Sequence, residues 1–430
     1  MSALPETGSR VLVAGLGASG LALVRFLLGR GMRVRVADRK PASELEGSLS
    51  QVPEGDVELR AGEEGEDLLD GCAAVYASPG MPWDAALLEA ARARGLIVSS
   101  EIDLFFELCP APIVGITGTN GKTTTASMTA SVLAQGPRPV LLGGNIGDTV
   151  LDRLDEVRPE HWVVLELSSF QLESCRRPRT AIAAVLNVTP DHLDRHHTMA
   201  AYIAAKARLV EAQDAGGVAI LNGQDPICVE MAETAPGRVV WFDAHSPVPE
   251  VPVPGRHNQL NALAAAAVGR AAGLDDDRIQ AGIAAFTAVE HRLELVEEID
   301  GVAYYNDSKA TNPEAGLVAL ESFPGRPVVL IAGGYGSGFE LSAWVAAVRA
   351  RTEAAVLIGE SADLLAGHLE GHLVRRAGSL EQAVDVAGDL ARSGGVVLLS
   401  PAYKSYDMFR NYGERGRTFK AAVRARAGAK

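Results

Sequence analysis

The sequence predicts an α/β protein whose parallel sheets are divided among three domains. Short apolar runs alternate with helical patterns along most of the chain, which is typical of strands joined by crossover helices. Two separate glycine-rich loops each follow a predicted strand and open a predicted helix. At 430 residues the chain is also too long for one ordinary core. We expect the domains to span 1–99, 100–289 and 290–430.

Each predicted strand is a short apolar or β-branched run bounded by turn residues. In the first domain we predict strands at 10–14, 33–38 and 74–77 and helices at 19–30 and 84–94. In the central domain we predict strands at 112–117, 162–167, 181–188, 218–221 and 239–242, helices from 122, at 200–213 and at 258–272, and a proline-rich loop at 245–255. In the third domain we predict strands at 293–298, 302–306, 328–332, 355–358 and 396–399.

Composition excludes several classes of protein. The formal charge of −14 leaves no basic stripe for nucleic acid. The cysteines form no C-x-x-C pair and do not indicate a zinc site, since they stand far apart at Cys72, Cys109, Cys175 and Cys228. Residues 1–6 do not resemble a signal peptide, and no apolar run reaches the ~18 residues of a membrane helix. We therefore expect a cytoplasmic, monomeric protein without nucleic-acid or membrane partners.

The first glycine loop is G-L-G-A-S-G at residues 15–20, between a predicted strand and a predicted helix. Glycine permits the tight turn, and the helix N-terminus would face a pyrophosphate. Asp38 and Arg39 end the next strand, where a dinucleotide-binding protein contacts its ligand's ribose. By itself this pattern fits either a NAD site or a purely structural glycine turn.

The second glycine loop, G-T-N-G-K-T-T at residues 118–124, is the more specific one. Its backbone N–H groups can surround phosphate oxygens, Lys122 can neutralise the β/γ charge, and the Thr123 hydroxyl can hold Mg²⁺. It departs from the standard phosphate loop because Ile116 stands where the first glycine belongs, and Gly115 is one residue early. The strand–loop–helix context predicts an ATP site.

The two loops together narrow the function. A nicotinamide-dependent oxidoreductase would use only the first loop, and a kinase or transporter ATPase would use only the second. An enzyme that joins ATP chemistry to a nucleotide-linked substrate would use both. A non-catalytic, nucleotide-binding relative is a further alternative, and it predicts broken metal ligands.

Three side chains of the central domain are candidates for chemistry near the second loop. Glu166 ends a predicted strand, where open α/β sheets bind ligands, so it can reach Mg²⁺ beside Thr123. The alternative is a surface carboxylate. His192 follows the next predicted strand and offers a second metal ligand, although a single histidine is more often structural. The pattern around Lys206 indicates an ordinary, exposed helix lysine.

At this point the sequence resembles the Mur ligase family, and within it the members that add D-glutamate. The matching motifs cover nearly the whole chain: GLGASG at 15–20, SPG at 78–80, GTNGKTT at 118–124, GGNIG at 143–147, ELSSFQL at 166–172, NVTPDHLDRH at 187–196, Lys206, GRHNQLNALAA at 255–265, EHRLE at 290–294, NDSKATN at 306–312 and LLSPAYKSYDMF at 398–409. The resemblance implies an N-terminal Rossmann-like domain, a central P-loop ATPase-like parallel sheet and a C-terminal Rossmann-like domain that closes over ATP. It also implies peptidoglycan precursor synthesis, with ATP, UDP-N-acetylmuramoyl-L-alanine and D-glutamate as substrates.

The resemblance assigns site residues by position. Those implied for the UDP-sugar are Leu16, Gly17, Ala18, Ser19, Gly20, Asp38, Arg39, Ser78, Pro79, Gly80, Asn145, Ser168, Gln171 and His192. Those implied for ATP are Gly118, Thr119, Asn120, Gly121, Lys122, Thr123, Thr124, Asn258, Asn261, Arg292 and Asp307. Those implied for the amino acid are Lys309, Thr311, Ser405, Tyr406 and Tyr412. Lys122, Glu166, His192 and Lys206 would be catalytic, and Thr123, Glu166, His192 and a CO₂-derived carbamate on Lys206 would hold two Mg²⁺ ions.

The sequence departs from the family in the amino-acid site. The loop at 333–338 lacks the Lys or Arg that relatives often carry there, and Lys404 stands where a small residue is usual. A buried glutamate side chain needs a positive partner. We therefore hypothesise that Lys404, with Lys309, pairs with that carboxylate; the alternative is that Lys404 points to solvent.

Overall fold

The computed structural model describes residues 4–147, 149–243, 246 and 250–428. The predicted loop at 245–255 and the N-terminal residues 1–6 therefore lie partly outside the described residues. The chain divides into two compact units. Unit 1 comprises Met1–Glu250 and Leu260–Ala285, and unit 2 comprises Val251–Gln259 and Phe286–Lys430.

The first sheet of unit 1 is parallel and has the strand order β3-β2-β1-β4-β5. Its strands are β1 Arg10–Ala14, β2 Arg33–Asp38, β3 Val57–Ala61, β4 Cys72–Ala77 and β5 Ile97–Ser100. Its helices are α1 Ala18–Gly29, α2 Ala42–Leu49 and α3 Ala86–Ala93. The middle strands are apolar and buried, as expected for a sheet covered by helices on both faces. The loops after β1 and β4 therefore open at the same edge.

The second sheet of unit 1 is also parallel, with the order β11-β10-β9-β6-β8-β7. Its strands are β6 Ile113–Thr117, β7 Val140–Gly144, β8 Trp162–Glu166, β9 Ile182–Val185, β10 Val218–Asn222 and β11 Arg238–Phe242. The helices are α4 Glu101–Leu108, α5 Lys122–Leu133, α6 Ser169–Ser174, α7 Leu193–His196, α8 Met199–Glu211, α9 Pro226–Met231, α10 Arg256–Ala271 and α11 Asp276–Ala284. The first four residues of α10 belong to unit 2. Because β6 lies between β8 and β9, the segments that follow these three strands meet at one edge.

The third sheet belongs to unit 2 and has the order β12-β13-β17-β14-β15-β16, in which only the β12–β13 pair is antiparallel. Its strands are β12 Glu294–Ile299, β13 Val302–Asn306, β14 Val328–Gly333, β15 Thr352–Ile358, β16 Val374–Arg376 and β17 Val396–Leu399. Its helices are α12 Pro313–Glu321, α13 Ser342–Arg351, α14 Ala362–His368, α15 Leu380–Leu390 and α16 Tyr412–Gly428. The loops after β13, β14 and β17 share the carboxyl edge.

These sheets confirm the predicted α/β class, while the exact domain limits stay predictions. Strands β3, β5, β7 and β16 were not predicted. Each is a short strand at the edge of its sheet, where half of the backbone pairing is missing and the pattern is brief. Within the part of the chain that the structure describes, no helix is both long and apolar enough to span a membrane.

Candidate functional site

The first glycine loop forms a tight turn between β1 and α1. Gly15 has φ +97°, and a Cβ placed on Gly20 would lie 1.9 Å from the Gly15 carbonyl oxygen. Glycine is therefore favoured at position 15 by the positive φ and required at position 20 by the close approach of the backbone. The Ser78 hydroxyl of the S-P-G segment packs against Gly15, where an added Cβ would lie only 2.2 Å from Oγ. The structure thus brings the two predicted UDP-sugar segments, 15–20 and 78–80, together.

Asp38 is bound to this loop by its own carboxylate. Asp38 Oδ2 accepts a hydrogen bond from Leu16 N at 2.8 Å, and Oδ1 accepts one from Lys40 N at 3.0 Å. The neighbouring Arg39 is exposed and lies 3.7 Å from a carboxylate oxygen of Glu64. The first glycine loop therefore has the Asp38 carboxylate bound at the backbone amide of Leu16.

The second glycine loop carries ammonium groups instead. Lys122 Nζ donates to the carbonyl oxygens of Gly118 at 2.9 Å and Thr119 at 2.7 Å. Gly121, at φ +83°, forms the N-cap of α5, so the helix begins at Lys122 itself. Thr123 in the first turn is buried. Cation, backbone amides and helix N-terminus together suit a polyphosphate.

Lys206 is fully buried, so the expectation from its pattern alone, an exposed helix lysine, is wrong. Its exposed fraction is 1%, and Nζ donates to Gly118 O at 2.8 Å. The ammonium lies 4.6 Å from the centre of the Tyr202 ring, one turn earlier on α8. Burial, with the nearby Lys122 charge, lowers the pKa of Lys206 to about 7. Two ammonium groups thus meet at one carbonyl oxygen.

Glu166 lies at the end of β8, as predicted, and is buried rather than a surface carboxylate. Oε1 accepts a hydrogen bond from Asn145 Nδ2 at 3.0 Å, and the two residues are also joined by Asn145 N and Glu166 O at 2.8 Å. Oε2 is buried and has no hydrogen-bond partner among the described residues. A buried carboxylate oxygen of this kind favours a bound cation.

Ser168 and Gln171 bind each other in the structure. They form a capping box at the start of α6, in which Gln171 N donates to Ser168 Oγ and Gln171 Oε1 accepts from Ser168 N at 3.0 Å. This local bond holds the segment predicted for the sugar directly after Glu166.

His192 is exposed and strained, with φ +52°. Its Nε2 lies 3.4 Å from Asp191 Oδ2, and its ring lies 4.9 Å from that of Phe170. Phe170 also stacks on His196 at 5.3 Å, and His196 Nε2 lies 2.9 Å from Ser169 Oγ. His192 and the residues after Glu166 are therefore brought together. Among the described residues, no group of three His, Cys, Asp or Glu side chains could hold a metal ion.

The two asparagines predicted to contact ATP, Asn258 and Asn261, belong to different units. Asn261 Oδ1 accepts from Thr125 Oγ1 at 3.2 Å and lies against Gly121, where an added Cβ would come within 2.3 Å of it. Asn261 therefore lies beside the second glycine loop, in unit 1. Asn258 is buried in unit 2 and donates to Pro254 O at 2.6 Å.

In unit 2, Asp307 is buried directly after β13. Its Oδ2 accepts from Ser400 Oγ at 2.9 Å, and Oδ1 accepts from Leu293 N at 3.3 Å. Burial raises the pKa of Asp307 to about 7. Arg292, adjacent to Leu293, is half-buried. These contacts place the segment with Arg292 beside Asp307.

The predicted amino-acid residues lie on two loops of unit 2. Lys309 Nζ lies 5.6 Å from the Tyr412 ring, and the Ser308 hydroxyl donates to Tyr412 O at 2.8 Å. Thr311 is half-buried on the same loop, whereas Ser405 is buried and Tyr406 is exposed on the other.

The side chain of Lys404 is exposed, and its backbone pairs with Tyr335. Tyr335 N donates to Lys404 O at 2.8 Å in an antiparallel bridge. The rings of Tyr335 and Tyr406 lie edge to face, 6.5 Å apart. The loop at 333–338 and the loop after β17 are therefore joined at the carboxyl edge of the sheet.

Two structurally important residues were missed from the sequence. Tyr202 OH lies 3.1 Å from Thr119 Oγ1, and its position four residues before Lys206 could have placed both on one helix face. Arg415 is buried, and its guanidinium donates to Ser308 O at 2.8 Å and Tyr403 O at 3.0 Å, joining the two loops that carry the residues predicted for the amino acid. Its surrounding helix pattern gives no signal of this burial.

Comparison with known proteins defines the class to which this fold and site belong. The model of the Mur ligase MurD-like N-terminal domain matches residues 9–100. The Mur ligase middle domain matches 116–248, and the Mur ligase glutamate ligase domain matches 291–403. The chain belongs to the Mur ligase family, as its motifs predicted.

Particular relatives are similar over almost the whole chain. The UDP-N-acetylmuramoylalanine–D-glutamate ligase of Koribacter versatilis is 40% identical, covering 98% of each chain. The enzyme of the same name from Solibacter usitatus is 41% identical, covering 97% of this chain and 98% of its own. Among solved structures, UDP-N-acetylmuramate-alanine ligase MurC of Thermotoga maritima has a TM-score of 0.60 at 17% identity, covering 98% of this chain and 100% of its own. That likeness supports the fold.

Proposed function

We propose that the chain is an ATP-dependent ligase that joins D-glutamate to UDP-N-acetylmuramoyl-L-alanine in peptidoglycan precursor synthesis. The observation that carries the proposal is the meeting of Lys122 and Lys206 at Gly118 O in a glycine loop that opens a helix. The names of the relatives that match nearly the whole chain support this choice of substrates.

The chemistry must activate a carboxylate, which has no good leaving group. In the proposed reaction, a carboxylate oxygen of the UDP-sugar attacks the γ-phosphorus of ATP, the bond to the bridging oxygen breaks, and ADP leaves. The amine of D-glutamate then attacks the acyl carbon, loses a proton, and inorganic phosphate departs. Lys122 neutralises charge on the transferring group, and exclusion of water protects the acyl phosphate.

Mg²⁺ fits the residues around the second loop. The buried Glu166 Oε2 lacks a hydrogen-bond partner among the described residues, and Thr123 is buried in the first turn of α5. With His192 and a carbamate on Lys206, these groups would hold two ions, while phosphates and water complete the coordination. When bound, Mg²⁺ withdraws charge from phosphate oxygens.

The carbamate on Lys206 is part of the proposal. CO₂ reacts with a neutral amine, and burial supports this state because it holds the pKa of Lys206 near 7. The ammonium first loses one proton to give the neutral amine; bond formation between Nζ and the carbon of CO₂, with loss of a second proton, then gives an anionic oxygen donor. A lysine buried beside a phosphate loop would thereby become a metal ligand.

The amino-acid site would use Lys404 for the side-chain carboxylate of D-glutamate. Directly paired residues of an antiparallel bridge project to the same side, so Tyr335 and Lys404 share a face. The contact of Tyr335 with Tyr406 adds a second phenol to that face. An ammonium on the same face as phenol hydroxyl donors suits a carboxylate. Lys309 and Thr311 would contribute from the other loop, beside Tyr412.

Lys404→Ala should raise the KM for D-glutamate about tenfold or more and leave the KM for ATP within about twofold, because one charge-assisted contact is lost. Lys404→Arg keeps the charge and should retain most of the affinity. Unchanged glutamate kinetics in Lys404→Ala would mean that the side chain points to solvent.

Phosphate release by the purified protein, assayed against a panel of UDP-sugars and amino acids, tests the reaction itself. We expect turnover only when ATP, UDP-N-acetylmuramoyl-L-alanine and D-glutamate are all present. Tight NAD(H) binding without turnover would instead favour an oxidoreductase. The proposal includes a cytoplasmic monomer, since ATP and nucleotide-linked sugars are cytoplasmic substrates; sedimentation analysis tests the monomeric state.

A further inference from the structure

Arg195 connects two segments of unit 1 that follow strands of different sheets. Its Nη1 donates to Gly80 O at 3.4 Å, and its Nη2 donates to Met81 O at 2.5 Å. The guanidinium carbon lies 4.8 Å from the centre of the Phe170 ring. The charge of Arg195 also opposes the rise that burial causes in the pKa of Glu173. The guanidinium itself makes backbone and ring contacts.

The first of these segments is fixed on the glycine turn after β1. Ser78 N donates to Ala14 O at 2.9 Å, and Met81 N donates to Ser78 O at 3.0 Å. The Ser78 hydroxyl packs directly against Gly15. A group that holds the carbonyls of residues 80 and 81 therefore also holds the loop at 15–20.

The second segment contains the residues after Glu166. Phe170 lies inside the capping box of Ser168 and Gln171, and its ring contacts both His192 and His196. Arg195 is joined to His192 by a backbone bond, since Arg195 N donates to His192 O at 3.0 Å. The guanidinium thus contacts one segment while its own backbone and stacking partner belong to the other.

An arginine is chemically suited to this position. Its planar fork can donate to two carbonyl oxygens and stack on an aromatic face at once, which the ammonium of lysine cannot do. A second, weaker contact lies nearby, with His197 Nε2 3.4 Å from Asp84 Oδ2. Arg195 therefore bridges the loop at 78–81 and the segment that contains Phe170.

We infer that Arg195 is a positioning residue that fixes the distance between the 78–81 loop and the segment containing residues 168–171 and His192. This inference rests on the proposed function, in which one UDP-sugar spans both segments. A rigid separation lets the substrate bind at both ends without reordering the protein. A shift of about 1 Å in such a site can cost about 10² in rate.

The test compares Arg195→Ala and Arg195→Lys with a matched control, Arg25→Ala. Arg25 Nε donates to Asp152 Oδ1 at 2.9 Å and so also links the two sheet-bearing parts of unit 1, but it touches neither segment. We expect Arg195→Ala to raise both the KM and the calorimetric Kd for UDP-N-acetylmuramoyl-L-alanine about tenfold, with the KM for ATP within about twofold. Arg195→Lys should be intermediate, and Arg25→Ala should change neither constant.

The outcomes separate the inference from the proposed function. If the unaltered protein turns over the UDP-sugar but Arg195→Ala has normal KM and Kd and only a lower unfolding midpoint, like Arg25→Ala, the inference is overturned alone. If the unaltered protein neither binds nor turns over this substrate, both fail. Should Arg195→Ala not fold, Phe170→Leu, which removes the stacking face, must raise the same Kd for the inference to stand.

Discussion

The two glycine loops of unit 1 have the same backbone plan but opposite charges around them. Each follows a buried parallel strand and opens a twelve-residue helix, α1 or α5. At the first loop, the Asp38 carboxylate accepts the bond from Leu16 N. At the second, the ammonium groups of Lys122 and Lys206 both lie on Gly118 O.

The difference shows that a glycine turn and a helix N-terminus do not by themselves specify a phosphate. The partial positive charge of a helix N-terminus is generic, and side chains from neighbouring elements decide which ligand fits. A carboxylate at Leu16 N repels a phosphate there and suits hydroxyl groups of a nucleoside. The Lys122 ammonium at the second loop suits a triphosphate.

The largest expected effect is at the second loop. Lys122→Ala should lower kcat by about 10³ or more, because the charge on the transferring phosphoryl group loses its neutralising partner. Phosphate release measures this loss, and calorimetry should show the Kd for the UDP-sugar within about twofold. Lys40→Ala, at an exposed lysine beside the first loop, is the matched control. Near-normal turnover in Lys122→Ala would contradict the assignment of the second loop, rather than the first, to phosphoryl transfer.

Lys206 tests whether the second ammonium becomes an anion. Lys206→Ala should lose about 10²–10³ in kcat, and short carboxylates should partly restore it by occupying the metal-ligand position. Lys206→Arg keeps the charge but cannot form the carbamate, so it should be inactive and should not be rescued. ¹³C-bicarbonate should give a carbamate NMR signal in the unaltered protein. Full activity after CO₂ depletion would argue that the lysine stays an ordinary amine.

Asp38→Asn sharpens the assignment of the first loop. If the carboxylate binds nucleoside hydroxyl groups, loss of a charged acceptor should raise the Kd for the UDP-sugar about tenfold, with kcat unchanged. If a phosphate lies at Leu16 N instead, removal of the negative charge should tighten binding. Calorimetry with UDP-sugar distinguishes the two directions.

The smallest effect on the ligands should come from a change outside both loops. Glu101 is buried, accepts from Leu151 N at 3.1 Å, and burial raises its pKa to about 7. A raised carboxyl pKa contributes stability below about pH 4.5 that is lost as the pH rises through 7. The unfolding midpoint of Glu101→Gln should therefore exceed that of the unaltered protein by a growing margin, roughly a few degrees, from pH 5 to pH 8. Ligand affinities at either loop should not change. A difference in unfolding midpoint that stays constant from pH 5 to pH 8 would contradict titration of Glu101 in this range.

Features that are set by the local sequence were predicted correctly. Features that depend on contacts between segments far apart in the chain were not. Strand ends, glycine turns and the position of Glu166 follow from periodicity and turn chemistry. The burial of Lys206 does not, because its environment comes from Gly118, 88 residues away. The bond between Asn145 and Glu166 likewise depends on the pairing of β7 with β8, which no local pattern specifies.

The strand order of the second sheet has a consequence for synthesis of the protein. Strand β6 leads into the ATP loop, yet its neighbours β8 and β9 come later in the chain. Thr117 Oγ1, for example, donates to Leu167 O, 50 residues further on. Translation proceeds at about 5–20 residues per second, so the loop must wait seconds after its own emergence for both flanking strands. The nascent chain therefore passes through an interval with β6 exposed and unpaired, when aggregation or chaperone capture competes with folding.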